Sequence, residues 1–421
     1  MLTFEEAVLG IDNEPEFASI SRQTSPGYPF NQEFHHGFQN KEWWLGRDLL
    51  YDLDREPCKQ LRESVEIIIS ETKAGRRCRF VFMDCLKDER LPVAKVEAGK
   101  TRMFSSCPFD LLIVSRMYFG SFMLWYKKNR IHNGSAIGVN PYSEEWNHLG
   151  VKLSLFTLNK PAVGAGDYSR FDGSEKPDVH WGILNVINSW YDDGCDNQRI
   201  RRVLWLELVN SYHVCGDKVY AWSSSLPSGH PMTGIVNTMY NNIAFRYSWF
   251  IANNYDLCSL TEFDKYVYMC AMGDDNVFTV HESYREIFNE MVMPRYMAEI
   301  GLTYTAENKN EAKSPFRFLT EVDFLKRSFL KNKILQRYVA PLDLDVVLEI
   351  PYWTKDAVDP ITSTLDNVDT TIAELSLHEK EVFDEYVPRI STAVHEEFDT
   401  HPANTSYVQN LKASVRKEYE F

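Results

Sequence analysis

The 421-residue sequence has no cysteine pair at C-x-x-C spacing, no histidine pair to complete a zinc set, no internal repeat and no low-complexity tract. Its eight cysteines, at 58, 78, 85, 107, 195, 215, 258 and 270, are scattered. That pattern fits free thiols in a reducing compartment rather than a disulfide framework. Long apolar runs are missing too. The longest, LLIVSRMYFGSFMLWY (111–126), is too short to cross a bilayer and contains Arg116, so it is expected as a buried helix. The opening MLTFEEAVLGIDNEPEF is acidic and lacks the apolar stretch of a secretory leader. Basic charge is also scarce: the net charge of −15 argues against a general basic DNA coat protein, because phosphate backbones need basic surface.

With 44% hydrophobic and 25% charged residues, the chain can bury a large core spread over two to four subdomains. Its charge is unevenly distributed. Residues 73–102 carry nine Lys/Arg against four Asp/Glu, and residues 330–421 carry nine against seventeen. A basic strip therefore coexists with an acidic last quarter. The hydrophobic pattern predicts helices over 61–72, 105–130, 178–191, 197–211, 232–250 and 282–293, the last with Tyr284, Ile287, Phe288 and Met291 on one face. It predicts strands at 79–84, before 166, and among 316–330, and mostly helix beyond. Helices mixed with antiparallel hairpins place the chain in the α+β class.

The sharpest local signal is MGDDNV (272–277) between VYMCAM and VFTV, a β-hairpin with Asp274 and Asp275 at its tip. Asp and Asn are ordinary turn residues, but adjacent carboxylates on a hairpin also suit a divalent metal. GDYSRFDGS (166–174) supplies Asp167 at a strand end and Asp172 five residues on. Three carboxylates from two strands would suit a pair of Mg²⁺ ions, which can activate an attacking hydroxyl and stabilise a leaving pyrophosphate.

In PSGHPMTGIVNTMYNN (227–242), Ser228 and Gly229 precede a helix that puts Thr233 and Asn237 on one face, where they could bond a sugar hydroxyl. KDERLPVAKVEAGKTRMF (87–104) spaces Lys87, Lys95, Lys100 and Arg102 along extended segments that could hold a triphosphate. AENKN (306–310) places Lys309 in a loop as a candidate general acid, and FLKRSF (324–329) is a basic turn. Each stretch alone also fits an ordinary turn, cap or solvated face.

Taken together, their order resembles the RNA-dependent RNA polymerases of picornavirus-like positive-strand RNA viruses, insect viruses among them. TSPGYPF, KDER…K…GKTR, GDYSRFD, SGHPMTGIVN, GDD, GLTYTAENK and FLKR match successive motifs of that family from residue 24 to about 330, and PYWTKD (351–356) fits more loosely.

The resemblance implies a closed right hand with an antiparallel palm sheet of RRM-like topology. Fingers would span 1–124 and 174–225, palm 125–173 and 226–329, and thumb 330–421. It implies that Asp167 and Asp274 bind two Mg²⁺ ions, for which Mn²⁺ can substitute, with Asp275 in support. Asp172 and Asn237, helped by Ser228, Gly229 and Thr233, would read the ribose 2′-hydroxyl that separates RNA from DNA precursors. Lys87, Lys95, Lys100 and Arg102 would hold the triphosphate, and Lys309 would protonate pyrophosphate. Ser25, Pro26 and Gly27, with Lys326 and Arg327, would face template and primer.

Implied partners are RNA template and primer, NTPs, a viral protein primer and other viral replication proteins. The implied setting is the host cytoplasm, at membrane-associated replication complexes reached without an intrinsic membrane segment. Three departures stand out. Met272 occupies a position where the family most often has Tyr. KDERLP replaces KDELR, so Arg90 is not aligned. Met1 lies close to TSPGYPF, where relatives have a longer N-terminal region, so a trimmed or fragmentary chain is expected. The competing readings are an inactive RNA-binding scaffold, a reverse transcriptase and a metal phosphohydrolase. The intact carboxylates oppose the first and the Asp172/Asn237 pair the second. The fingers motif and the Ser/Thr/Asn set oppose the third.

Overall fold

Two four-stranded sheets organise the chain. In chain order the strands are β1 (Val81–Leu86), β2 (Met103–Ser106), β3 (Val163–Ser169), β4 (Tyr212–Cys215), β5 (Lys218–Ala221), β6 (Val267–Met272), β7 (Asp275–Val280) and β8 (Thr303–Ala306). The computed structural model describes residues 1–32, 40–223, 225–307, 309, 311–354 and 358–416. Ser224, Asn308 and Asn310, and Lys355 and Asp356 of the PYWTKD stretch, lie outside the described residues. The chain divides into two units: residues 1–130, 170–243 and 301–303 form the first, and 131–169, 244–300 and 304–421 the second.

In the first unit the sheet order is β2-β1-β4-β5, with β1 antiparallel to β2 and parallel to β4. Helices Glu56–Lys73, Phe109–Lys128, Pro177–Tyr191 and Cys195–Val209 accompany it. The first of these buries Cys58, Leu61, Val65, Ile68 and Thr72, the three-and-four spacing of one helical face, and carries Pro57 in its first turn, where a missing N–H costs nothing. Helix Phe109–Lys128 is the apolar stretch, and it is buried along most of its length, as its composition predicts. Arg116 is tolerated there because its guanidinium donates to the carbonyls of Ala7 and Ala18, both at 2.6 Å, and lies over the Phe17 ring. Among the described residues no helix is long and apolar enough to cross a membrane.

In the second unit the sheet order is β6-β7-β3-β8, with β7 antiparallel to both β3 and β6. Helix Thr233–Ala252 precedes β6, and helix Met293–Glu299 precedes β8. Strand–helix–strand–strand–helix–strand with spatial order 4-1-3-2 is the RRM-like arrangement expected from the sequence. Strands β3 and β7 are buried on both faces, so they read as nearly continuous apolar runs. Beneath them Trp146 stacks on Phe329 at 4.6 Å, within a core that includes Leu149, Val163, Cys270, Val277 and Phe324. Helices Leu344–Glu349, Pro360–Leu375, Lys380–Phe398 and Tyr407–Arg416 enclose a separate core around Val347, Ile372, Leu375, Phe383 and Leu411.

Two local expectations need correction. Residues 282–293 do not form a helix: a short 3₁₀ turn at Glu282–Tyr284 gives way to turns, and the helix starts at Met293. The Asn289 side chain accepts from the N–H groups of Met291 and Val292, offering the backbone an alternative to helix. Phe288 is buried, but Met291 is exposed, so the apparent apolar face is not one. Lys95 lies on a short exposed helix, Val93–Glu97, rather than on an extended segment.

Candidate active site

Strand β3 delivers Asp167 and hairpin β6–β7 delivers Asp274 and Asp275, all in the second unit. The Met272–Asp275 pair closes a two-residue turn in which Gly273 has φ +66°, the positive first position of a type II′ hairpin. Asp274 follows at the apex. Behind the turn, buried Asn276 donates to the Asp274 carbonyl at 3.2 Å and accepts from Tyr304 Oη at 2.8 Å. Asp167 Oδ1 accepts from the Tyr168 N–H at 2.7 Å, and Oδ2 lies 3.0 Å from the ammonium of Lys309.

Burial, then the charge of Asp167, raises the Asp274 carboxyl above its ordinary value. Burial, then the charges of Asp274 and Asp167, pushes Asp275 up to about 6, opposed by Lys326 and Lys309. Carboxyls raised by neighbouring carboxylates mark a site short of positive charge. Their oxygen donors suit a hard cation such as Mg²⁺. As the side chains stand, no three His, Cys, Asp or Glu groups among the described residues converge enough to enclose an ion. Asp167 is instead engaged by Lys309.

The first unit holds a second polar set. Asn237 Nδ2 donates to Asp172 Oδ1 at 2.6 Å, and the buried Asn237 Oδ1 has no hydrogen-bond partner among the described residues. Thr233 lies on the same helical face but turns its hydroxyl back to the Pro227 carbonyl at 2.6 Å, holding the loop in front of its own helix. In that loop Ser228 Oγ accepts from the Ser105 N–H at 3.0 Å, and Gly229 N–H donates to the Ser105 carbonyl at 3.0 Å. A Cβ at Gly229 would lie 2.2 Å from that carbonyl oxygen, so the close approach requires glycine. Of the basic set, Lys87 and Arg102 converge on Glu89, with Arg102 Nε at 2.8 Å and Lys87 Nζ at 3.7 Å. Lys95 and Lys100 are exposed.

The remaining expected residues divide similarly. Pro26 and Gly27 are buried, with Gly27 at φ +72° and its Cα side against the Cys107 carbonyl. Ser25 Oγ accepts from the Gly27 N–H at 3.1 Å. Lys41, a residue the sequence reading passed over, is buried and donates to the Ser25 carbonyl at 2.6 Å and to the Thr24 carbonyl at 3.3 Å. Burial lowers its ammonium to about 8. In the turn between β9 (Asp323–Phe324) and β10 (Arg327–Ser328), Lys326 is exposed, whereas Arg327 turns inward. Its guanidinium donates to Glu374 at 3.1 Å, the Ala340 carbonyl at 2.6 Å and Tyr142 Oη at 3.0 Å, so this expected template or primer contact is already engaged within the protein.

Arg317 was also missed. It bridges Glu290 and Glu307, each at 2.7 Å, and Glu290 accepts from the Ala165 N–H at 2.8 Å. The bridge links the strand of Asp167 to the approach to Lys309. Neither Lys41 nor Arg317 sits in a recognisable motif; Arg317 shows only as a charge between Phe316 and Phe318, Lys41 stands between the polar Asn40 and Glu42, and these partners of both lie ten or more residues away.

A profile of the family described as viral RNA-dependent RNA polymerase matches residues 2–394. The chain is 37% identical over 408 residues to the replicase polyprotein of acute bee paralysis virus (strain Rothamsted), a match covering 93% of this chain and 21% of the polyprotein. It is 34% identical to the replicase polyprotein of Drosophila C virus (strain EB), covering 98% and 24%. It is 33% identical to the genome polyprotein of rice tungro spherical virus (strain Vt6), covering 93% and 12%. The chain thus spans about a quarter or less of the length of these polyproteins. Among solved structures, its fold matches the Sicinivirus 3Dpol RNA dependent RNA polymerase with a TM-score of 0.75 at 21% identity, covering 99% of this chain and 81% of that one.

Proposed function

This chain belongs to the family of viral RNA-dependent RNA polymerases, and we propose that it extends an RNA primer on an RNA template, releasing pyrophosphate from each NTP. The observation that carries the reading is the second unit's group of carboxylates: Asp167, with Lys309 beside it, and Asp274 and Asp275, both raised by burial and by the charge of Asp167. Asp167 and Asp274, supported by Asp275, would hold two divalent ions, which when bound supply activation of the primer 3′-hydroxyl and neutralise charge on the leaving group. Lys309 donates a proton to the departing pyrophosphate. Lys87, Lys95, Lys100 and Arg102 offset the triphosphate charge.

Asp172 accepts from the ribose 2′-hydroxyl and Asn237 orients that carboxylate, while the Ser228 loop contributes a further donor. This set favours ribonucleotides and so a polymerase of RNA over a reverse transcriptase. Ser25, Pro26, Gly27 and Lys326 lie along the path of template and primer, and Arg327 holds its turn in shape. In this reading residues 1–124 and 174–225 are fingers, 125–173 and 226–329 palm, and 330–421 thumb. The setting would be the host cytoplasm at membrane-associated replication complexes, with a viral protein primer and other viral replication proteins as partners.

Primer extension on an RNA template with ribonucleotides and Mg²⁺ tests the reading against Asp274→Ala. Extension by the parent and none by the variant is expected. Equal extension by both would reduce the hairpin acids to turn residues and sink the assignment.

A further inference from the structure

Behind the Ser228 loop, in the first unit, lies a buried polar network that none of the expected site residues belongs to. Asp84 on β1 is 6% exposed and accepts from three side chains: the Ser105 hydroxyl on β2, the Tyr220 hydroxyl on β5, and His213 Nδ1 on β4, which is 3.1 Å from both carboxylate oxygens. His213 Nε2 in turn meets Ser211 Oγ at 2.8 Å. Burial holds the His213 imidazole below its usual value despite Asp84, which keeps it neutral, with Nδ1–H donating and Nε2 accepting. Its ring is packed between Phe82, Tyr220 and Trp222.

The order Ser–His–Asp is that of a hydrolase triad, but Ser211 and His213 are fully buried and no substrate reaches the hydroxyl. The network is a restraint, and what it restrains is Ser105. The Ser105 side chain is tied to Asp84, while its N–H is spent on Ser228 Oγ and its carbonyl on the Gly229 N–H.

We propose that Asp84, acting through Ser105, is a positioning residue for the Ser228 hydroxyl and so for recognition of the ribose. The Ser105 N–H occupies a lone pair of Ser228 Oγ, which leaves the exposed hydroxyl's proton to be donated outward. A donor held from behind in this way loses little freedom when it meets a sugar oxygen. Three donors on one buried carboxylate make Ser105 a fixed point rather than a mobile strand end. This inference rests on the polymerase reading above.

The test measures the ratio of kcat/KM for a ribonucleoside triphosphate to that for its 2′-deoxy analogue. Any loss of folded fraction cancels in that ratio, so a merely structural role would not move it. Ser228→Ala, Asp84→Asn and Ser105→Ala are each expected to lower it by roughly three- to tenfold, the worth of one hydrogen bond. The Asp84→Asn/Ser105→Ala pair should lose no more than either single variant, and Ser105→Thr, which keeps the hydroxyl, should retain the parent ratio. If Asp84→Asn does not fold, Ser105→Ala against Ser105→Thr decides alone. An unchanged ratio in Ser105→Ala beside a lowered one in Ser228→Ala overturns the positioning role and leaves the polymerase reading standing. An unchanged ratio in Ser228→Ala overturns it as well. A parent chain that incorporates no nucleotide removes the polymerase reading and this role with it.

Discussion

Replacing Gly166 by alanine should damage both stability and turnover, through one contact. Gly166 precedes Asp167 on β3 and pairs with Asn276 of β7. A Cβ there would lie 2.0 Å from Tyr304 Oη, 2.1 Å from Cζ and 2.6 Å from Cε2. Tyr304 cannot swing away easily. It is 4% exposed, its ring edges against Tyr168 at 5.0 Å, and its hydroxyl holds Asn276, the residue behind the GDD tip. Overpacking of this kind costs about 1–3 kcal/mol, and the lost Tyr304–Asn276 bond about 1 kcal/mol more. In a unit of about two hundred residues, a loss of about 2–4 kcal/mol lowers the melting midpoint by roughly 4–16 °C. Because β3 and β7 both carry the acids, a shift of about 1 Å should also slow extension on the order of 100-fold at a temperature where the variant is still folded. Differential scanning fluorimetry and primer extension measure the two effects. Gly182→Ala is the control: among the described residues nothing lies within 4 Å of a Cβ there, and it sits within a helix, so it should be neutral or stabilising by up to about 1 kcal/mol. If Gly166→Ala melts within a degree or so of the parent, the ring contact does not constrain the strand and the reasoning fails.

Arg317→Met strands buried Glu290 and half-buried Glu307 without their shared cation, and should cost about 3–5 kcal/mol; adding Glu290→Gln should recover part of the melting loss, and no recovery would count against the bridge. Arg327→Ala should destabilise by a similar mechanism while leaving the salt dependence of RNA binding unchanged. Lys326→Ala should do the reverse, lowering the slope of log K against log salt by about 0.7–0.9 if it meets one phosphate. Burial pushes the Asp110 carboxyl up to about 6, above an unfolded value of about 3.9, so ionising it in the fold costs stability as pH rises through that window. Asp110→Asn should therefore gain on the parent at pH 8 relative to pH 4.5, in melting midpoints taken at both; an equal offset at the two pH values would refute it.

What could be read from residue order was whatever depends on near neighbours. The GDD hairpin is legible because the six apolar residues VYMCAM, a glycine turn and the short run VFTV specify strand pairing locally. Helix Phe109–Lys128 is legible because its composition leaves it nowhere but the interior. The failure at 282–293 has the same origin seen from the other side. Tyr284, Ile287, Phe288 and Met291 satisfy a helical period, but Asn289 can cap the backbone itself and Glu290 is drawn inward by Arg317, a residue 27 positions later. Periodicity counts apolar side chains; it does not register a polar one that is needed elsewhere.

The basic turn shows where that limit reaches function. Lys326 and Arg327 are adjacent and carry the same charge, and nothing local separates them. In a two-residue turn with Leu325 at φ +55° and Lys326 at φ +65°, Lys326 stands at the apex and Arg327 is the first residue to pair again, with Phe324. Pairing sets the direction of the arginine, and Glu374, 47 residues on, makes the inward direction stable. The guanidinium then has two carboxylate oxygens, a carbonyl and a tyrosine hydroxyl around it, four acceptors where a lysine ammonium has three protons. An Arg beside a Lys at a nucleic-acid site is therefore better suspected of holding the loop than of holding the phosphate whenever the turn geometry sends it into the core.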